Sequence, residues 1–382
     1  MKEAFVLLDD GDPERRRLYR TPGRIILARR PSAVPRALKA MRAALEAGLH
    51  LAGYASYELG LLLEPRLAAL APERPSAPYL AFGVFRAPEF QEGPPPGPQA
   101  PAGVLSARSL RARADYAPRF AKVQDYLRAG DAYQINLTFP LRVKTHGTPQ
   151  DLHAAIRGRQ KGARFGGICA LGWPIAVSWS PESFYRIDSQ GLIRARPMKG
   201  TIKRGASPEE DAALAAWLRA DPKSRAENLM IVDLLRNDIG RLSRIGTVRV
   251  PELFSVETYP TLHTMTSEIQ GEILNPRDPQ AVFRALFPCG SITGAPKIRA
   301  MEIIHEVEAR PRGIYCGAMG WMSPDGAAGF NVAIRTLALG PTGTGIFGVG
   351  GGVLVDSEME AEYDEALLKA RFLLGETPLK GI

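Results

Sequence analysis

The sequence predicts an α+β protein with large, mainly antiparallel sheets and helices around them. Two observations carry that expectation. The later half of the chain holds several hairpin-like pairs of apolar strands, and its helical segments are well separated instead of alternating with strands in βαβ order. The 382 residues are 23% charged and 45% hydrophobic, an ordinary globular mixture long enough for one large core or two domains.

Along the chain, residues 4–8 read as a first strand, 9–14 as the turn after it, and 25–28 as a short strand. Leu38, Met41, Leu45 and Leu49 recur with helical spacing over 34–49. Residues 51–57 and 78–85 read as strands. The clearest break is Gly-Pro-Pro-Pro-Gly-Pro at 93–98, because proline at that density fits neither helix nor inner strand. Residues 1–90 are thus an N-terminal subregion of the same α+β body, 91–104 an exposed connection, and 105–382 the remaining, larger region. The connection either separates two parts or is a loop within one domain.

A helix is expected over 115–129 with Asp115 as its cap, an alternating strand over 131–140, and a helix over 151–158. Residues 165–171 and 174–178 read as strands, Ser180-Pro181-Glu182 as a turn, and 184–187 with 191–196 as a hairpin. Arg196 to Thr201 lies at a strand end, with Pro197 and Gly200 bracketing Lys199. Helices follow over 208–218, with Pro208 at the first position, and over 224–235, where Ser224-x-x-Glu227 has the form of a capping box. Short strands at 248–250 and 253–256 precede a longer one at 262–269, then a helix at 278–286. Cys289 to Lys297 is a tight loop opening a helix over 296–308, whose first N–H groups suit an anion. Strands at 313–321, 330–338 and 345–350 and a terminal helix complete the chain.

Lysine and arginine number 49 against 40 acidic residues, a formal charge of +9 spread along the chain. Dispersed arginine fits attraction of a small anionic substrate as well as it fits nucleic-acid binding, for which interleaved aromatic–basic patches are lacking. Cys169, Cys289 and Cys316 are far apart and odd in number, which suits neither a disulfide scaffold nor a zinc site of usual spacing. Neither a signal peptide nor an apolar run of about 18 residues is evident, so no membrane is expected and the cytoplasm is the default.

Three features point to chemistry. Glu362, Glu365 and Lys369 share an arc of about 60° on the terminal helix. Two carboxylates one turn apart suit a divalent cation or proton transfer, and the same pattern also makes an exposed charged face with a Glu365–Lys369 pair. With Glu227 they form a possible oxygen-ligand set for Mg2+, although Glu227 also suits the capping box. Lys199 is either a solvated lysine or a nucleophile, the latter only if its surroundings depress its pKa. Glycines at 290–294 and 348–352 form two anion cradles, neither with the Gly-Lys-Ser/Thr ending of a phosphate-binding loop.

Six ordered blocks carry a resemblance. They are Tyr133-Gln134-x-Asn136-Leu137; Ser180-Pro181-Glu182; Arg196 to Thr201; Glu227 to Asp238; Gly290 to Met301; and Gly350 to Lys369. With them, residues 112–374 resemble the chorismate-utilising enzymes, and the resemblance implies the anthranilate synthase component I fold. It implies chorismate as substrate, bound with Mg2+ through Glu227 and Glu365, with Glu362 near the metal. It places a substrate carboxylate on the backbone of Gly350 and Gly352, with Arg335, Tyr315 and Lys369 as polar partners. Glu182 takes the position of the general acid/base that helps the C4 hydroxyl leave.

Lys199 decides among the branches of that family. Anthranilate synthases resembling this chain usually have alanine there, whereas aminodeoxychorismate synthases have lysine. The lysine is expected to attack C2 of chorismate, after which ammonia displaces it at C4 to give 4-amino-4-deoxychorismate, on the route to 4-aminobenzoate and folate. Branches that add water carry lysine at the position of Gln134, so Gln134 argues against water here. Ser291 and Thr293 are further candidates near the substrate, or caps of the following helix. Relatives hold an active-site histidine at the position of Thr264. His263 lies one residue earlier, on the other face of a strand, and is either a substrate-side or a core or interface histidine. No Cys-His-Glu glutaminase set is evident, so the resemblance implies ammonia from a separate glutamine amidotransferase subunit, in a heterodimer. Anthranilate synthase component I is the alternative.

Overall fold

The computed structural model describes residues 3–12, 14–160, 163–259 and 262–382. Pro13, inside the turn expected over 9–14, lies outside them. Among the described residues the strands form an 11-stranded and a 10-stranded sheet, paired antiparallel except where Leu379–Lys380 joins Gly103–Ser109. The expected α+β class with large, mainly antiparallel sheets is therefore the observed one. Alternation along each strand aims one row of side chains at the other sheet. Val6, Leu8 and Tyr19 of the first sheet meet Ala52, Tyr54 and Phe85 of the second in one buried cluster. The Tyr19 and Phe85 rings lie 5.2 Å apart across that contact. The larger cluster also draws on both sheets, with Val177 and Leu337 from one and Phe82 and Phe330 from the other.

Strands from before residue 90 are built into both sheets. Phe5–Asp9 pairs with Gly167–Ala170, and His50–Ala55 pairs with Ala318–Met322. The Pro/Gly-rich stretch runs from strand Glu89–Glu92 to strand Gly103–Ser109.

Several boundaries differ from the sequence expectation. Strand Arg15–Arg20 was not expected, because its arginines hide an alternation in which Arg16 and Leu18 are buried. Strand Gln134–His146 continues through Pro140, whose carbonyl accepts a hydrogen bond from the Leu110 N–H. Helix Arg113–Arg128 has Ala112 at its N-cap, with Asp115 in its first turn instead of capping it. Helix Pro222–Gly240 begins two residues early and is capped by Asp221, whose carboxylate accepts the Ser224 N–H at 2.8 Å. Ser224 and Glu227 are therefore no capping box, and Glu227 is free to face elsewhere.

The difference that builds the site is in the last third. Residues 313–317 form turns, and the strand expected at 313–321 is Ala318–Met322. The single strand expected over 330–338 is two, Ala328–Val332 in the 10-stranded sheet and Thr336–Leu339 in the 11-stranded one. The chain changes sheets between them, and Arg335 at the crossing has a left-handed φ of +51°.

Candidate active site

A cleft of about 160 Å3 opens beside this crossing. Lys199, Glu182, Ser291, Tyr315, Arg335, Lys369 and the glycine strand 348–352 all line it. Eleven of the sequence-selected residues gather here: those six line the cleft with Gly350 and Gly352 of that strand, Glu227 and Glu365 act on the Lys199 charge, and Glu362 lies beside Gly351.

Lys199 reaches the cleft through an irregular strand. Met198–Lys203 pairs with Leu262–Glu272, and the register slips between Met198 and Thr201. Such a bulge re-aims the side chains it contains. Gly200 supplies the left-handed φ of +79° that the slip requires, and a Cβ there would stand 2.8 Å from Ser224 of the neighbouring helix. Burial lowers the Lys199 pKa. Glu227 and Glu182 oppose the shift, and the Lys369 charge adds to it.

Glu182 follows a turn fixed to strand Ala328–Val332. The Ser180 hydroxyl donates to the Val332 carbonyl at 2.7 Å and accepts the Glu182 N–H at 3.2 Å. Burial raises the Glu182 pKa, while the Ser291 hydroxyl, donating to Oε1 at 2.8 Å, and the Lys199 and Arg335 charges favour the ionised form. One amine and one carboxyl in the same cleft are thus both pushed towards neutrality, the pairing that nucleophilic attack with proton donation needs.

Arg335 is largely buried and has no salt-bridge partner among the described residues. A guanidinium so placed suits a planar anion. Strand Thr344–Val353 pairs with Thr336–Leu339 only at 345–347, while its other edge stays paired with Gln134–His146 as far as Val353. Past Phe347 one edge of the strand is therefore left to the cleft. The Lys369 ammonium donates to the Gly350 carbonyl at 2.9 Å and pairs with Glu365 Oε1 at 2.8 Å. Tyr315 is buried, and burial holds its phenol neutral.

Like the three metal-candidate glutamates, three further chosen residues do not line the cleft. Thr293 turns its hydroxyl back to the Cys289 carbonyl at 3.1 Å and stays inside its loop. Gln134 is buried against Gly352, with neither amide atom hydrogen-bonded among the described residues. His263 faces the helix layer. Its Nε2 is 2.8 Å from Asp211 Oδ1 and its Nδ1 2.9 Å from Thr258 Oγ1. Its neighbour Thr264, on the other face, donates to the Gly200 carbonyl at 3.2 Å. His263 is therefore a buried interface histidine, as strand alternation dictates.

The structure also adds Asn136, Met198, Ile334 and Phe347 to the cleft wall. Asn136 was legible in principle, since it shares a strand face with Gln134 at two-residue spacing. The apolar residues carried no signal separating them from core.

The carboxylates can be tested against Mg2+. Glu362 and Glu365 approach Gly351 together with Lys369: an added Cβ there would lie 3.0 Å from Glu362 Oε2 and 4.0 Å from Glu365 Oε1. Burial raises the Glu362 pKa, against a 2.7 Å hydrogen bond from Ser357 and with the Glu365 charge adding to the rise. Among the described residues no three His, Cys, Asp or Glu side chains stand in ligating geometry, so no cluster is preassembled. The donor set fits in kind, because all three candidates are carboxylates, the hard oxygen ligands that Mg2+ takes, and Gly351 leaves them room.

Residues 3–375 match the family described as chorismate binding enzyme. The chain is 42% identical over 282 residues to "Aminodeoxychorismate synthase" of Streptomyces griseus, covering 74% of this chain and 39% of that protein. It is 42% identical over 267 residues to "Aminodeoxychorismate synthase component 1" of Klebsiella aerogenes, covering 70% and 58%. The chain thus spans between about two fifths and three fifths of the length of these relatives. Its fold is similar to the crystal structure of anthranilate synthase component I from Streptococcus pneumoniae TIGR4, with a TM-score of 0.78 at 23% identity, over 97% of this chain and 92% of that one.

Proposed function

The chain belongs to the chorismate-binding enzyme family, and from that premise we propose that it aminates chorismate at C4 to 4-amino-4-deoxychorismate. The observation that carries the reading is Lys199, aimed by a strand bulge into the cleft that also holds Glu182 and Arg335, with burial lowering its pKa. A buried amine with a lowered pKa can serve as a general base or as a nucleophile, and we take the nucleophilic role.

Chorismate brings two carboxylates. One would sit on the backbone edge of Gly350 and Gly352 and the other against Arg335 and Tyr315. The neutral Lys199 amine forms a bond to C2, the ring double bonds shift, and the C4–oxygen bond breaks. Glu182, whose protonated form burial favours, gives its proton to the departing hydroxyl, which leaves as water. Ammonia then bonds to C4, the double bonds shift back, and the Lys199 nitrogen leaves C2. The Glu182 carboxylate takes up the proton released by the new amine. Mg2+, held by Glu227, Glu365 and Glu362, would neutralise a substrate carboxylate and fix the ring.

The second half of the reading is a partner. The "component 1" in a relative's name supports a separate subunit that supplies ammonia from glutamine. The test is a product assay on the full chain with chorismate, Mg2+ and ammonium, read by chromatography and mass spectrometry. Release of 4-amino-4-deoxychorismate supports the proposal. Release of anthranilate and pyruvate would put the chain in the other aminating branch.

A further inference from the structure

A second cavity, of about 600 Å3, lies on the opposite face of the 11-stranded sheet from Val6 and Leu8. Its floor is made by Phe5, Leu7 and Leu18 with Ile168, Ala170 and Ile175. Helix Pro149–Arg157 walls one side, and Pro95–Gly97 with Trp173 close around it. It shares no lining residue with the cleft.

The floor is apolar, but one end is charged. The strand register sets Asp9 directly opposite Arg16. Arg157, from the last turn of the helix, pairs with the same Asp9 carboxylate. His153 Nε2 is 3.9 Å from Asp9 and 3.1 Å from the Ser178 carbonyl, and burial lowers its pKa, so it adds no charge at neutral pH. One carboxylate therefore faces two guanidinium groups. Over the whole wall the charges balance, because Asp151 at the start of the helix adds a carboxylate, so the excess of one guanidinium is local to the Asp9 end. Asp151 accepts the Gln99 and Ala100 N–H groups at 2.7 and 3.2 Å and the Thr148 hydroxyl at 2.7 Å, while Glu3 and Arg20 pair with each other at 3.7 Å on the exposed rim.

Arg16 is only 7% exposed, and its Nε has no hydrogen-bond partner among the described residues. A buried donor on a cation is costly unless an acceptor meets it. The local excess of one guanidinium at the Asp9 end matches a monoanion, whereas a phosphate monoester would bring about two negative charges. The planar guanidinium matches a carboxylate, and the long apolar floor matches a flat hydrocarbon body. We propose that this cavity binds a small monocarboxylate with an apolar, ring-sized body, its carboxylate on Arg16 and its ring over Leu7 and Leu18.

The test uses benzoate as the probe and its uncharged amide, benzamide, as the control. Calorimetric titration is run on the full chain carrying Arg335→Met, which removes the guanidinium of the cleft; benzoate held on the Gly350–Gly352 edge instead would be unaffected by Arg16→Met and Leu7→Trp. Saturable benzoate binding in the millimolar range or tighter is expected, about tenfold or more stronger than for benzamide. Adding Arg16→Met should weaken benzoate binding at least about tenfold, a loss of the size expected for one charge-assisted contact. Leu7→Trp, which fills the floor and leaves the charges in place, should abolish it. Absence of saturable benzoate binding, or binding unchanged by both Arg16→Met and Leu7→Trp, would overturn the proposal. Neither result bears on chorismate turnover at the other site.

Discussion

Glu182 and Lys199 are moved by one cause in opposite senses: burial disfavours charge, so the carboxyl pKa rises and the ammonium pKa falls. The Ser291 hydrogen bond works against burial at Glu182 by stabilising its carboxylate. Ser291→Ala should therefore raise the Glu182 pKa further. If Glu182 must be protonated to act, the alkaline limb of the kcat/KM profile moves to higher pH, and an unshifted limb would remove Glu182 as the acid. Glu227→Gln and Glu365→Gln should each raise the Mg2+ concentration needed for half-maximal turnover by about tenfold, since each removes one anionic ligand. Unchanged magnesium titrations would place the ion elsewhere. At this scale the sequence was informative about residue identity and weak about direction. Lys199 and Glu182 stood out in their blocks, and the one-residue offset of His263 already pointed to the other strand face, but its partner Asp211 could not be read from the sequence.

Elements position these residues by being interrupted. The bulge in Met198–Lys203 aims Lys199, the change of sheet at 333–335 exposes Arg335, and the end of pairing after Phe347 opens the glycine strand. Periodicity could not reveal the second of these, because Val332-Ala333-Ile334 is apolar on both sides of the break and reads as one continuous strand. The pairing of Ser183–Ile187 with Leu192–Ala195 was legible, because a turn signal separates two alternating runs. Arg312 ties other parts of the cleft wall, the loop at Ile292 and strand Gln134–His146, to the helix end at Glu308. Its guanidinium donates to the Ile292 carbonyl at 2.8 Å, to the Asn136 carbonyl at 2.7 Å and to Glu308 at 2.6 and 2.9 Å, all buried. Arg312→Met leaves Glu308 buried with a charge and no cation, and should cost about 3–5 kcal/mol in urea unfolding. A loss below about 1 kcal/mol would mean that the surrounding apolar packing, not this ion pair, holds the cleft wall.

At the scale of the whole molecule, the chain order and the sheet order do not coincide. Residues before 90 place Phe5–Asp9 and Arg15–Arg20 in one sheet, and Arg24–Ala28, His50–Ala55 and Leu80–Phe85 in the other. A fragment of residues 105–382 would leave Ala318–Met322 without one of its two neighbours and expose the row of side chains that Tyr54 and Phe85 cover. It is expected to show no cooperative thermal transition where the full chain shows one. A cooperative transition in the fragment would establish the later region as a domain that stands alone. The fold class was legible from hairpin-like pairs and separated helices. The interleaving was not, because pairings between strands more than 250 residues apart, such as His50–Ala55 with Ala318–Met322, leave no local trace.

The central claim is that Lys199 becomes covalently attached to chorismate before ammonia arrives. The measurement that reaches it most directly is peptide mass spectrometry of the full chain quenched with chorismate and Mg2+ present and ammonia withheld, set beside turnover of Lys199→Ala with ammonium supplied. The account predicts a Lys199 peptide heavier by chorismate less one water, its disappearance when ammonium is added, and loss of most 4-amino-4-deoxychorismate formation in Lys199→Ala. Turnover by Lys199→Ala at the rate of the unaltered chain would contradict it.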